Sequence, residues 1–149
     1  MNRKRFLGTL LGAPLAAGIR LYAAGPSIQV FKTPTCGCCG IWVQHLKTNG
    51  FQVTVQDIAD TTPVRKKARI PESMASCHTG MVEGYAVEGH VPAADIQRML
   101  REKPKAIGLA VPGMPIGSPG MESDHSDAYS VMLVDMAGKA TVYKRYPAK

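Results

Sequence analysis

Four cysteines carry the chemistry available to this chain. Three lie within four residues, Cys36-Gly37-Cys38-Cys39, and the fourth stands beside a histidine, Cys77-His78. Cys36 and Cys39 have the C-x-x-C spacing of a dithiol that closes to a disulfide and exchanges with others. Cys38 harms that use, because a third thiol between the pair offers competing disulfides. It helps a metal site, which gains a third soft ligand at no cost in chain entropy. Three thiolates on one turn suit Cu(I) or a thiolate cluster, and cysteines with one histidine also suit tetrahedral Zn(II). Metal binding and thiol-disulfide exchange are therefore the two chemistries the spacing predicts. A disulfide between Cys36 and Cys39 with an idle Cys38 is the plainer alternative. No Ser-His-Asp set, phosphate loop or paired-carboxylate site is apparent.

The elements around these residues can be read from patterning. Ile28-Gln29-Val30-Phe31 predicts a first strand, broken by Thr33-Pro34-Thr35. Gly40 to Asn49 predicts a helix with Ile41, Trp42, His45 and Leu46 on one face, ended by Asn49-Gly50. Phe51 to Ile58 alternates as a strand, and Thr62 to Arg69 is a short helix stopped by Pro71. Met81-Val82-Glu83 and Tyr85 to Glu88 form a tight strand pair around Gly84. Pro92 to Leu100 is a helix burying Ile96, Met99 and Leu100. A Gly/Pro-rich stretch from Gly108 to Asp127 leads to a last hairpin, Val131–Asp135 with Ala140–Lys144. The order β-α-β-α-β-β-α, with an added C-terminal loop and β-hairpin, predicts an α/β, thioredoxin-like fold.

That fold puts the cysteine triplet between a strand and a helix N-terminus, where free N–H groups and the helix dipole stabilise thiolates. It also places Cys77-His78-Thr79 in the loop that carries a cis-proline in thioredoxin-like proteins. His78 stands at the proline position, which brings Cys77, and His78 as a further ligand, toward Cys36, Cys38 and Cys39. His45 and His90 read as structural or surface residues, and the role of His125 in the long loop is open. Long irregular loops in small domains are often functional. Met114 and Met121 in this one serve either as soft ligands or as an apolar cover for the site.

The N-terminus predicts export. Arg3, Lys4 and Arg5 precede an apolar run from Phe6 to Ile19, with Ala23-Ala24-Gly25 beyond it. This is the order of a secretory signal peptide over residues 1–24, followed by one domain over 25–149. Leu21 or Tyr22 at the −3 position departs from an A-x-A site, which leaves an uncleaved anchor as the alternative. The Arg-Lys-x-Phe-Leu order loosely resembles a twin-arginine signal. The chain carries +7 overall. Four of its 18 basic residues and none of its 11 acidic ones fall in the leader, so +3 remains after cleavage. That is too mild to argue for nucleic acid. The basic cluster Arg65-Lys66-Lys67-Arg69 reads as the solvated face of a helix, and no permanent membrane span is expected beyond the leader.

With these motifs together, the chain resembles the CopG-type periplasmic proteins, a family long described as a domain of unknown function. The resemblance rests on Thr35-Cys36-Gly37-Cys38-Cys39, Ser76-Cys77-His78-Thr79, Gly84 to Pro92, Gly108 to Pro115 and Gly117 to Glu122. It implies copper binding through the C-x-C-C cysteines and the later cysteine, a part in copper resistance, and interconversion of Cu(I) and Cu(II). It is compatible with a multinuclear copper cluster and with other periplasmic copper-handling proteins as partners.

Overall fold

The structure, a computed structural model, describes residues 24–149; the leader reading lies outside the described residues. Seven strands form one mixed sheet in the order β2-β1-β3-β4-β5-β6-β7. In chain order the elements are β1 Ser27–Lys32, α1 Gly37–Thr48, β2 Gln52–Asp57, α2 Thr62–Lys67, β3 His78–Val82, β4 Tyr85–Gly89, α3 Ala93–Glu102, β5 Ala106–Val111, β6 Tyr129–Asp135 and β7 Ala140–Tyr146. A single 3-10 turn, Glu72–Met74, follows α2. β1 pairs with β2 and β4 with β5 in parallel, and the other neighbours are antiparallel. The first seven main elements keep the β-α-β-α-β-β-α order. Among the described residues no helix is long and apolar enough to cross a membrane.

The sheet separates two apolar clusters. Strand residues alternate between faces, so Val87 and Leu109 join the larger cluster while their neighbours Ala86 and Ala110 join the smaller. The larger cluster takes Trp42, Val43 and Leu46 from α1 and Ile96 and Met99 from α3. Each of these large side chains contributes about 1.5–3 kcal/mol on burial. The smaller cluster is closed by Ile70, with Ala68 and Met74 packed against it.

Three local expectations are corrected. α1 begins at Gly37, so Cys38 and Cys39 lie inside its first turn rather than ahead of it. Its buried stripe is Cys39, Trp42, Val43 and Leu46, at the i, i+3, i+4, i+7 positions, while Ile41 is 53% exposed. Arg65 is not solvated. It is buried, and its guanidinium Nη2 donates to both carboxylate oxygens of Glu72 at 3.1 and 3.0 Å. The third correction is β5. The stretch read as irregular from Gly108 contains most of a strand, buried from Ile107 to Val111 on both of its faces. A strand covered on both sides shows no alternation, and its glycine reads as a breaker. β5 joins the final hairpin to the main sheet, so β6 and β7 extend it rather than stand apart.

Candidate metal centre

The site forms where three backbone segments meet. The first is the N-terminus of α1. Cys36 is its N-cap residue, with extended backbone and no side-chain cap bond to the helix, so the first-turn N–H groups face the cysteine end. The second is the start of β3, where Cys77 immediately precedes His78. The third is the loop from Pro112 to Ala128, which lies against both.

The four sulfurs converge, all lying within 4.8 Å of one another. Cys36 and Cys39 are joined as a disulfide with Cα atoms 5.4 Å apart, while Cys38 and Cys77 are free, half-buried thiols. Cys38 Sγ lies 3.6 Å from Cys36 Sγ. Its thiol points to Met114 Sδ at 3.8 Å. Cys39 is fully buried beneath, 3.9 Å from the Cys77 carbonyl.

Cys77 also belongs to a second group. Its Sγ lies 3.4 Å from His78 Nδ1 and 3.4 Å from His90 Nε2. Both imidazoles are fully buried. Hydrogen bonding sets their tautomers. His78 Nε2–H donates to Gly89 O at 2.9 Å, which leaves Nδ1 with its lone pair toward Cys77. Ser118 Oγ donates to Pro115 O at 2.6 Å and so accepts from His90 Nδ1–H at 3.4 Å. His90 Nε2 therefore also turns a lone pair to Cys77. One thiol proton can serve only one of these two acceptors. Each ring has its far nitrogen fixed by an oxygen, the second-nitrogen bond that metal-ligating histidines also make, and turns its other nitrogen to Cys77.

Burial governs the ionisation of these groups. It pushes the Cys77 thiol up to about 11. It pulls His78 down to about 3, with His90 adding to the effect, and lowers His90 as well. The imidazoles thus stay neutral and able to donate a lone pair. The His78 ring packs against Trp42 at 4.2 Å between centroids and stacks on His90 at 5.4 Å. Trp42 Nε1–H donates to Val91 O at 2.9 Å.

Glu88 holds the Cys77-His78 pair from both sides. Its buried carboxylate accepts from Ser76 N at 2.7 Å and from Thr79 Oγ1 at 2.6 Å. Burial raises its pKa. The long loop is fastened just as firmly. Ser76 Oγ donates to Gly113 O at 2.8 Å. Gly120, at φ +96°, presses so close to α1 that an added Cβ would lie 2.7 Å from Cys38 O.

The cysteines expected from sequence are brought together, and His78 adjoins them through Cys77. Among the described residues, Met114 reaches the sulfurs. Met121 is half-buried, with its backbone closing a turn onto Gly117 and Ser118. His125 is exposed in a cavity of about 330 Å³ with Tyr129 and Tyr146, outside both metal-capable groups. His45 is structural, accepting the Ala93 N–H at 3.0 Å. His90 was missed as a site residue. The two-residue turn at Glu83-Gly84 pairs Val82 with Tyr85 and Thr79 with Glu88. Continued by two residues, that register sets His90 opposite Cys77, so the signal lay in the hairpin. Among the described residues there is no cis peptide bond, including at His78.

Comparison with known proteins gives three results. The family model described as "Protein of unknown function, DUF411" matches residues 74–121. Two solved structures of a copper resistance protein copG, Form 1 and Form 2, are each 50% identical in sequence with a TM-score of 0.78. They cover 83% and 82% of this chain and 99% and 98% of their own. The curated proteins give no match.

Proposed function

The chain belongs to the family of the copper resistance protein copG, and from that membership we propose that it is a periplasmic copper-binding protein of copper resistance. Cu(I) is bound by Cys36, Cys38, Cys39 and Cys77, with His78 and His90 completing the donor set. The observation that carries this reading is the convergence of three further sulfurs and two lone-pair-bearing imidazole nitrogens on one residue, Cys77. The donors fit the ion. Thiolate sulfur prefers Cu(I), and imidazole suits copper generally. A sulfur side and a nitrogen side on one thiolate support interconversion of Cu(I) and Cu(II) and room for more than one copper. The leader over residues 1–24 and the domain over 25–149 belong to the same proposal, as does a thioredoxin-like description of the fold. Other copper-handling proteins of that compartment are the expected partners.

The Cys36–Cys39 disulfide sets a condition on binding. Two of the four sulfurs carry no ligand charge while bonded to each other. Two electrons and two protons from a thiol reductant open the bond. The thiols then lose their protons as metal binds. The same disulfide favours a second reading, exchange with protein disulfides by Cys36 and Cys39. Structural zinc is the third.

Anaerobic titration of the reduced protein with Cu(I), against a competing chelator and with metal analysis, separates these readings. Tight Cu(I) binding that weakens in Cys38→Ala is the expected result. Rapid disulfide reduction that survives Cys38→Ala, without competitive copper binding, would overturn it. Zinc retained against Cu(I) would point to the structural site.

A further inference from the structure

Glu88 is a charged side chain in a place where strand pairing does not require one. It lies fully buried on β4. Side chains alternate along a strand, so Glu88 shares the face of Ala86, toward the smaller cluster, whereas Val87 faces the larger one. Thr79 and Glu88 are already main-chain partners, and they form the last pair of the β3–β4 ladder. Beyond that pair come His78, Cys77 and Ser76 on one side of the hairpin and Gly89 and His90 on the other. The carboxylate spans this gap. One oxygen accepts from Thr79 Oγ1, within the ladder, and the other from Ser76 N, outside it.

Both partners are donors, so a group with two acceptor oxygens takes both without a proton of its own. Burying a carboxylate is costly unless its oxygens are bonded and a positive charge acts on it. Arg65, also buried, supplies that charge. The chain beside Glu88 has no slack. Gly89 runs at φ +71°, and an added Cβ there would lie 2.7 Å from Ser76 Oγ. Gly89 O accepts both His78 Nε2–H and Val91 N–H, each at 2.9 Å. We infer that Glu88 is a positioning residue for the nitrogen side of the metal centre. By clamping Ser76 and Thr79 it fixes Cys77 Sγ against His78 Nδ1 and His90 Nε2, and so decides whether a bound ion is shared with the imidazoles or held by sulfur alone. It acts through the backbone, from the sheet face opposite the one on which His78 meets Trp42. This rests on the copper-binding reading above.

The test uses reduced protein carrying ¹⁵N in its histidine rings, with the 4 ring systems assigned by replacing each histidine in turn with Gln. NMR spectra of copper-free protein are recorded first. Cu(I) is then added anaerobically, with thiolate-to-copper charge-transfer absorption followed in parallel. Glu88→Gln keeps the size and offers one acceptor oxygen in place of two. Thr79→Val, the milder change, removes one donor and keeps the carboxylate, and it carries the test if Glu88→Gln does not fold. Tyr85→Phe removes the hydrogen bond to Pro104 O, away from the site, and controls for lost stability. In the wild type, His78 should show one tautomer, protonated at Nε2, and both buried imidazoles should shift with Cu(I). In Glu88→Gln and Thr79→Val the copper-free His78 signals should move toward a mixture of tautomers. The imidazole shifts with Cu(I) should shrink and copper affinity should fall about ten- to a hundredfold, while the charge-transfer absorption persists. Wild-type tautomers and shifts in both variants overturn the inference and leave the copper reading standing. The same change in Tyr85→Phe marks general loosening and also overturns it. Absence of charge-transfer absorption from the wild type removes the copper reading itself, and the role of Glu88 with it.

Discussion

The donors on the two sides of Cys77 are held in opposite ways. On the outer side, Cys36, Cys38 and Met114 sit on a helix end and a loop, half-buried or exposed. Cys36 is already bonded there to the buried Cys39 beneath it. On the inner side, His78 and His90 stand at the start of β3 and just past the end of β4. Both are fully buried, and each has its second nitrogen engaged by an oxygen. The outer group can change its covalent state and exchange with solvent. The inner group is set before any ligand arrives. One residue thus joins a reactive half to a rigid half, and the backbone explains the division. Neighbouring strands fix the imidazoles by their pairing register, whereas the helix start holds Cys36 and Cys38 without a side-chain cap.

Losing the shared residue should break the comparison most severely. Cys77→Ser removes a donor from both halves at once. Cu(I) affinity, measured by chelator competition, should fall by more than the roughly hundredfold that loss of an outer-shell partner costs. Affinity close to wild type would mean that the halves bind independently. Next in size is oxidation. Protein with Cys36–Cys39 closed should retain fewer copper ions after desalting than reduced protein. The double variant Cys36→Ser, Cys39→Ser should match the oxidised form whether or not reductant is present.

A smaller change isolates the inner half. Ser118→Ala frees His90 Nδ1 and lets the ring turn. Copper affinity should drop about tenfold, while closure of the Cys36–Cys39 disulfide, followed by thiol counting, keeps its wild-type rate. The smallest effect lies outside both halves. His45 accepts the first N–H of α3, and burial lowers its pKa from the usual 6.5. A base whose pKa is depressed by folding contributes stability above its unfolded pKa and loses it as pH falls through the folded value. Copper-free protein should therefore lose stability below pH 6.5, as protonated imidazole cannot accept that bond. His45→Ala should cost about 1 kcal/mol near neutrality, as loss of a helix cap does, and make the slope shallower by its own share, while the buried His78 and His90 keep theirs. Urea unfolding at several pH values reads both.

What could be read beforehand follows the range of the signal. The cysteine spacing, the Gly84 turn and the Asn49-Gly50 helix end are local patterns, and each marks its feature in the structure. Cys77 could be placed near the triplet because the element order implied it. β5 was hidden because burial on both faces erases alternation, and because Gly108 and Pro112 look like loop residues. Ile41 was placed on the buried face because the helix was started three residues late. The closeness of Met114 to Cys38 spans 76 positions and depends on tertiary bonds to Ser76, which no local pattern encodes.

Trp42 has a consequence for how this site can be watched. It is the only tryptophan of the chain, and its ring lies against His78, on the inner side of Cys77. Indole emission is sensitive to a metal ion a few ångströms away, and with a single indole the signal has one source. Copper held at the outer sulfurs and copper that has reached the imidazoles should dim it to different degrees. The fold has placed a built-in optical gauge at the inner wall, able to report an ion that binds beside His78 without any added label.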